Sequence, residues 1–248
     1  MTLLSEPHLH KLQFYVTTPY ACGYLPNKLA QSLIATPHHL VDAKIYSGLI
    51  QQGFRRSGKF AYRPHCETCN ACIPTRVILA NFVPNRSQKR AFKQHSDLTA
   101  RIMPLGYHHD HFELYAKYQA ARHAEPELSG KTDQAEKDNN AEAEQYRQFL
   151  CQSNVESFLV EFRDAHNQLK IVSVVDIVGD GASAVYTFYD TSNIKSSFGT
   201  YSIMWQTEWT KSLNLPYLYL GYWIAESEKM SYKQSFKPQQ KLIDGEWV

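Results

Sequence analysis

Three thiols within seven residues, Cys66, Cys69 and Cys72, are the densest group of reactive side chains in the sequence, and Cys22, in the turn Tyr20-Ala-Cys-Gly-Tyr24, is a candidate fourth member. Two-residue spacers let successive thiolates point at one centre, and four sulfurs suit a soft site, either Zn(II) or an iron–sulfur cluster. Spacing alone does not choose between the two, and a knuckle of buried free thiols is the alternative. Five cysteines are an odd number for a disulfide framework and suit a reducing compartment. Cys151, alone on an apolar helix, reads as a packing residue. His108, His109, Asp110 and His111 form a second cluster, but adjacent histidines at a helix start project in different directions and read as surface residues there. No Walker A loop, no Gly-x-Ser-x-Gly elbow and no His-Glu-x-x-His occurs.

Charge offers a second kind of chemistry. The 26 Lys/Arg against 24 Asp/Glu leave a formal +2, which names no partner. Its distribution is more informative. Between residues 53 and 101 stand ten Lys/Arg (positions 55, 56, 59, 63, 76, 86, 89, 90, 93 and 101) against Glu67 and Asp97, a local +8 that leaves −6 for the rest. Such an asymmetry points to a polyanion-binding face; a solvated basic surface is the alternative. With 248 residues and 43% apolar content the chain has material for a core, so disorder throughout is excluded. No run approaches the roughly 18 apolar residues of a membrane span, and the start, MTLLSEPHLHKLQFY, has neither a basic n-region nor an apolar h-region. The expectation is a soluble, cytoplasmic protein with no membrane partner.

The elements that must position these groups follow from periodicity and caps. Residues 27–35 place Leu29, Leu33 and Ile34 on one side of an expected helix, and Asp42 caps a second one carrying Ile45, Tyr46, Leu49 and Ile50, stopped by Gly53. A β-type run follows at 75–82. Pro84 and Asn85 then open a helix on which Arg86, Lys89, Arg90 and Lys93 share a face at i, i+3, i+4 and i+7. Another helix is expected at 110–123, and the acidic, polar stretch 125–144 reads as an exposed loop. Beyond it come a helix at 145–152, strands at 156–163, 170–178 and 184–189 with a Gly179-Asp180-Gly181 turn, a helix at 200–213, a strand at 217–224 and a short helix at 229–236. The resulting fold class is α/β (α+β). A Cys-containing basic lobe (1–100) precedes a C-terminal domain (101–248) whose element order resembles the Gcn5-related N-acetyltransferase fold. That fold normally holds an acyl-CoA pyrophosphate with Arg/Gln-x-x-Gly-x-Gly/Ala; here Ser196-Ser-Phe-Gly-Thr-Tyr201 lacks the second glycine, which disfavours acyl-CoA.

A longer set of motifs runs in order from about residue 14 to 238. It comprises Gly53-Phe-Arg-Arg-Ser-Gly58, Tyr62-Arg-Pro-His-Cys66, Cys69-x-x-Cys72, Val185-Tyr-Thr-Phe-Tyr189, Gly199-Thr-Tyr201, Tyr219-Leu-Gly-Tyr-Trp-Ile224 and Lys229-Met-x-Tyr-Lys233. Together they resemble the aminoacyl-tRNA-protein transferase family, in its compact bacterial branch. The departure is 125–144, where family members often carry a shorter segment.

The resemblance implies transfer of leucine from leucyl-tRNA to the α-amine of a protein or peptide beginning with Asp or Glu, in the N-degron pathway. ATP is not needed, and no cofactor is required for transfer. The amine's reference pKa of about 7.7 to 8.0 leaves a useful neutral fraction, so positioning dominates. Implied tRNA contacts are Arg76 and the stripe Arg86, Lys89, Arg90 and Lys93, with no DNA expected. Tyr201, Tyr219 and Trp223 are candidates for the donor pocket, and Arg55, Arg56, Arg63, Lys229 and Lys233 for an acidic acceptor side chain. Asp176, Tyr186 and Tyr222 are candidate catalytic groups; for Asp176, capping a turn or pairing with Arg is the alternative. Two rivals stay open, an arginyl transferase of the same family and a non-catalytic metal- or redox-sensing RNA-binding module. Guanidinium would need a carboxylate in the amino-acid pocket, whereas leucine needs only apolar walls.

Overall fold

Asp42 and Asn85 start helices where their side chains promise to. In the computed structural model, which describes residues 12–123 and 132–248, Asp42 accepts from the Ile45 N–H at 2.8 Å and caps α1 (Ala43–Gln51). Asn85 and Gln88 close a reciprocal capping box at the head of α2 (Arg86–Gln94). Gln88 and Ala91 face inward on α2, leaving the four cations on the outer side.

The 27–35 stretch is a correction. Instead of a helix it forms β3 (Leu29–Ala30) and β4 (Ser32–Thr36), after β1 (Gln13–Val16) and β2 (Tyr20–Ala21). Ile34 pairs with Tyr15 on one side and Tyr62 on the other. An apolar spacing this short between Pro26 and Pro37 serves either element, and distant strands decide it. With β5 (Arg55–Ser57) and β6 (Phe60–Pro64) these make an antiparallel sheet in the order β1-β4-β6-β5, beside the β2-β3 pair.

The main sheet holds β7 (Ile73–Ile78), β8 (Thr99–Pro104), β9 (Ser157–Arg163), β10 (Leu169–Val178), β11 (Gly181–Tyr189), β12 (Tyr217–Trp223), β13 (Gln239–Ile243) and β14 (Glu246–Trp247), ordered β14-β13-β7-β12-β11-β10-β9-β8. The expected meander β9-β10-β11 is present and antiparallel. β7, from the N-terminal part of the chain, lies inside this sheet between β12 and β13, so a division at residue 100 would cut through it. Three further helices cover the sheet: α3 (His109–His123), α4 (Thr132–Leu150) and α5 (Phe198–Ser212). The expected loop 125–144 is helical from Thr132; residues 124–131 lie outside the described residues. Composition misled here because α4 needs only a thin apolar edge, Ala143, Tyr146 and Leu150, which joins Phe112, Tyr115 and Phe188 in a buried cluster. The second half thus has mixed α and β elements in the expected strand–strand–helix–strand order. Among the described residues no helix is long and apolar enough to cross a membrane.

Candidate active site

β11 and β12 run parallel and are paired only from Gly181 to Ser183 against Tyr217 to Tyr219, then separate. Past that point the carbonyls of β11 lose their partner strand and need other donors. Arg55, the first residue of β5, enters the fork: its Nη2 donates to the carbonyls of Ala184 (2.6 Å) and Val185 (3.3 Å), and Nη1 donates to Ser183 Oγ (3.4 Å). The guanidinium lies against Gly221, whose φ is +77° and where a Cβ would stand 3.0 Å from Arg55 Cζ, so both backbone and space call for glycine. Beyond the fork opens a cavity of about 810 Å³ bounded by β11, β12, the first turns of α5, parts of α3 and α4, and the β5–β6 hairpin. Its size is that of an ordinary small-molecule site.

The next side chain also borders the cavity, but its donors are committed elsewhere. Arg56 is 5% exposed, with Nε 2.6 Å from Asp176 Oδ2 and Nη2 2.5 Å from Oδ1. Its remaining donors reach Ser157 Oγ and the carbonyls of Gly58 and Gln152. Asp176 is 0% exposed, accepts also from Ser157 Oγ at 2.7 Å, and is not among the cavity walls. Asp176 is therefore a locking residue, the pairing with Arg that its place in an apolar strand also allowed, and Arg56 has no donor left for an acceptor side chain.

Aromatic groups make the cavity floor. Tyr222 lines it, but its phenol donates to the Gly53 carbonyl at 2.8 Å and the Tyr62 carbonyl at 3.4 Å, and burial, reinforced by Tyr62, holds its pKa well above the usual value. Tyr24 lines the cavity while staying 46% exposed. Tyr186 also lines the cavity and donates to Gln119 Oε1 at 3.3 Å. Lys233 is buried and donates to the Tyr222 carbonyl at 2.5 Å; burial first, and then the Arg55 charge, draw its pKa down to about 7. Lys229 sits exposed at the rim. Among the described walls no Asp or Glu occurs.

The cysteine knuckle adjoins this floor. Cys72 is pushed up to about 12 by burial and then by Cys66, Cys22 and Cys69, with Lys233 opposing, so the four thiols share one neighbourhood, but no three of their sulfurs lie within 4.8 Å of one another. Their present contacts are weak: Leu25 N–H donates to Cys22 Sγ at 3.5 Å, and the Cys66 thiol donates to the Gln31 carbonyl at 3.8 Å. Among the described residues, the trio whose ligand atoms lie within 4.8 Å of one another is Asp110, His111 and Glu161. Arg163 already bonds both carboxylates and Arg101 lies 2.8 Å from Glu161, so that trio is a neutralised ion network. His111, expected at the surface, is 1% exposed within it.

Several other candidate residues lie away from the cavity. Arg76 is 7% exposed, its guanidinium 3.7 Å from the Tyr217 ring centre and 4.3 Å from that of Trp247, with Asp180 and Gln240 as partners. It fastens β13 and β14 to the sheet and presents no free charge to a phosphate. Tyr219 donates to Asp180 in the same cluster, and Tyr201 is packed among Phe92, His95 and Phe162. Trp223 lies under Lys241 Nζ at 3.7 Å. None of these three lines the cavity, nor does Arg63, which donates to the Gln52 carbonyl. On β12 it is Leu220, Gly221 and Tyr222 that face the cavity. Arg86, Lys89, Arg90 and Lys93 are all exposed. As cavity residues, Tyr24, Tyr62, Tyr115, Gln119 and Thr187 were missed; Tyr24, Tyr62 and Thr187 lie inside quoted segments, but nothing local marks which side chains meet the cavity.

The profile for "Arginine-tRNA-protein transferase, N terminus" matches residues 20–90, and that for "Arginine-tRNA-protein transferase, C terminus" matches residues 110–243. A protein of Methylobacillus flagellatus named aspartate/glutamate leucyltransferase is 64% identical over 247 residues, covering 100% of this chain and 95% of its own. One of the same name from Polynucleobacter asymbioticus is 51% identical, covering 100% and 98%. Among solved structures, L-PGS from Bacillus licheniformis overlaps with a TM-score of 0.48 at 11% identity, covering 68% of this chain and 57% of that one. FemX overlaps with a TM-score of 0.41 at 7% identity, covering 90% and 84%.

Proposed function

The chain belongs to the arginine-tRNA-protein transferase family, and from that premise we propose that it transfers leucine from leucyl-tRNA to the α-amine of proteins and peptides beginning with Asp or Glu. It is an aminoacyltransferase whose partners are an aminoacyl-tRNA and a protein acceptor. One observation carries the choice of donor and acceptor: the described cavity walls hold cations and aromatic or apolar side chains, and no carboxylate. An arginyl side chain would meet Arg55 and Lys229 without a counter-charge, whereas a leucyl side chain needs only walls such as Ile203, Leu220 and Met230. An acidic acceptor finds the complementary charge. Arg55 keeps its Nε–H without a protein acceptor among the described residues, and Lys229 waits at the rim.

The reaction is an ester aminolysis. The amine nitrogen bonds to the ester carbonyl carbon, the carbonyl electron pair moves onto oxygen and returns, and the bond between that acyl carbon and the ribose oxygen breaks, with the shed amine proton ending on the ribose oxygen. The ester is activated beforehand, so holding the reactants supplies most of the acceleration. Lys233, partly neutral near its pKa of about 7, suits the transient custody of the ammonium proton better than the binding of a carboxylate. The exposed stripe on α2 supports a role in holding the tRNA backbone. The reading extends to a cytoplasmic place in the N-degron pathway.

The donor chemistry of Cys22, Cys66, Cys69 and Cys72 fits a soft metal, Zn(II) or an iron–sulfur cluster, and a cation there would offset both the burial and the neighbouring thiols that raise Cys72. Bound there it would supply a structural staple beside the cavity floor and take no part in transfer. Metal analysis of purified protein, and a fall in Tm on chelation, test this; full stability without metal would remove it.

The reaction is tested by label transfer from leucyl-tRNA and, separately, arginyl-tRNA to peptides starting with Asp, Glu or Ala. Leucine on the acidic peptides alone is the expected result. Arginine transfer would overturn the donor assignment, and transfer from neither would overturn the reaction.

A further inference from the structure

A line of hydroxyls crosses the core and ends at the cavity wall. Gln206 Nε2 donates to Ser202 Oγ at 3.0 Å; Ser202 Oγ lies 2.7 Å from Ser173 Oγ, and Ser173 Oγ lies 3.0 Å from Thr187 Oγ1. Ser173, Ser202 and Gln206 are each 0% exposed, while Thr187 lines the cavity. The fold builds this line from three elements. Ser173 and Thr187 are cross-strand partners on β10 and β11, and Ser202 and Gln206 stand one turn apart on α5.

Its direction can be worked out from the protons. Ser202 Oγ receives an amide proton from Gln206, and among the described residues its own proton has one acceptor, Ser173 Oγ. Ser173 in turn has only Thr187 Oγ1 left as an acceptor. Run the other way, the Ser202 proton would be stranded in a dry core, at a cost of about 1–3 kcal/mol. With Nε2 as the group that meets Ser202, Gln206 Oε1 and the second amide proton have no partner; turned over, Oε1 would accept from Ser202 and both amide protons would have none. With Nε2 as the donor, every proton points from α5 toward the cavity, and Thr187, which receives one, has its own proton free to leave the line on the cavity side. Hydrogen bonds aligned head to tail polarise one another, so the last hydroxyl is a stronger donor than a lone threonine. Apolar residues of the same shape would serve a purely structural core as well.

We infer that Thr187 donates its hydroxyl proton in a hydrogen bond to the carbonyl oxygen of the bound aminoacyl ester, with Ser173, Ser202 and Gln206 as positioning residues; this rests on the transfer reaction proposed above. As the amine adds, that oxygen takes up negative charge, and a donor already aimed at it acts where stabilisation counts most. The Thr187 proton stays on Thr187 throughout.

The test compares kcat and KM for leucyl-tRNA, with Tm, in the wild-type chain and in Thr187→Val, Thr187→Ser and Ser173→Ala. Thr187→Val keeps the shape and deletes the donor; the expected loss is about 10²-fold in kcat with KM within about threefold. Thr187→Ser is expected to restore kcat to within about threefold of wild type, a rescue that a packing role would not produce. Ser173→Ala, the deciding variant if Thr187→Val does not fold, is expected to lose about five- to tenfold in kcat at unchanged KM. A kcat within about twofold of wild type in Thr187→Val, or in a folded Ser173→Ala if Thr187→Val does not fold, overturns the inference while the transfer reaction stands. A wild-type chain that transfers no leucine overturns both.

Discussion

The α2 stripe and the arginines beside the cavity come from the same basic stretch of sequence, and Lys233 joins the latter from near the C-terminus, yet the fold treats the two groups in opposite ways. Arg86, Lys89, Arg90 and Lys93 all stand in water on one helix face. Arg55, Arg56 and Lys233 are drawn inward, and each meets a different fate. Arg55 plugs the β11–β12 fork with donors to spare, Arg56 is fully used by Asp176 and its neighbours, and Lys233 has the Tyr222 carbonyl as its hydrogen-bond acceptor. Charges in water act over a Debye length and are screened by salt, which suits gathering a polyanion. Desolvated charges act over a few ångströms and are costly unless matched, which suits discrimination or a structural lock.

The largest effect should come from breaking the lock. Asp176→Asn leaves the Arg56 charge buried without its counter-ion, and a loss of about 3–5 kcal/mol is expected in a denaturant titration. An Asp176→Asn protein with wild-type stability and reduced turnover would instead make Asp176 catalytic and erase the distinction between Arg55 and Arg56. Next, Arg55→Met is expected to lower kcat/KM for Asp-initiated peptides by about 10²-fold, with the preference for Asp over Asn at the first position largely lost. An unchanged preference would move acidic recognition away from the fork.

Smaller changes are expected from the outer stripe. Arg86→Ala with Lys89→Ala should weaken tRNA binding by about tenfold at low salt and reduce the slope of log K against log salt by about 1.5, read from titrations at several salt concentrations. An unchanged slope would show that those cations are only a solvated face.

Lys233→Met should give the smallest effect and one of opposite sign, a rise in Tm of a few degrees at neutral pH. The folded-state pKa of about 7 lies below the ordinary 10.5, so the unfolded chain holds more protons between those values, and the lysine's contribution to stability becomes less favourable as pH falls through that window. The Tm difference between variant and wild type should therefore narrow as pH rises from 7 toward 10.5. A constant difference would mean that Lys233 is charged in the folded chain at neutral pH.

Local signals were legible where local energetics decide. Asp42 and Asn85 cap their helices because an N-cap oxygen and the N–H groups it satisfies are at most three residues apart. The β9-β10-β11 meander and α5 were readable for the same reason, as was the exposed stripe, whose cations are one turn apart. The 27–35 stretch and the 132–144 stretch were misread because their alternatives are settled by partners far along the chain. Among the candidate site residues, the motif around Arg55 and the strand around Tyr222 were found, but Tyr201, Tyr219 and Trp223 were drawn in with them. A tyrosine that fills a core and one that walls a cavity look alike in sequence.

The sequence alone determined the mixed fold class, the second-half element order, the gathering of cations and thiols in one stretch, and the family to which these motifs belong. Only the tertiary structure decided which of two adjacent arginines beside the cavity keeps a donor, that β7 sits inside the main sheet, and that Ser173, Thr187, Ser202 and Gln206 form one line. Helix faces and caps are set by neighbours within a turn. The contacts that give Arg55 and Arg56 their different fates reach Ala184 and Asp176, more than a hundred positions away, and a one-residue shift of β5 would have exchanged the two arginines.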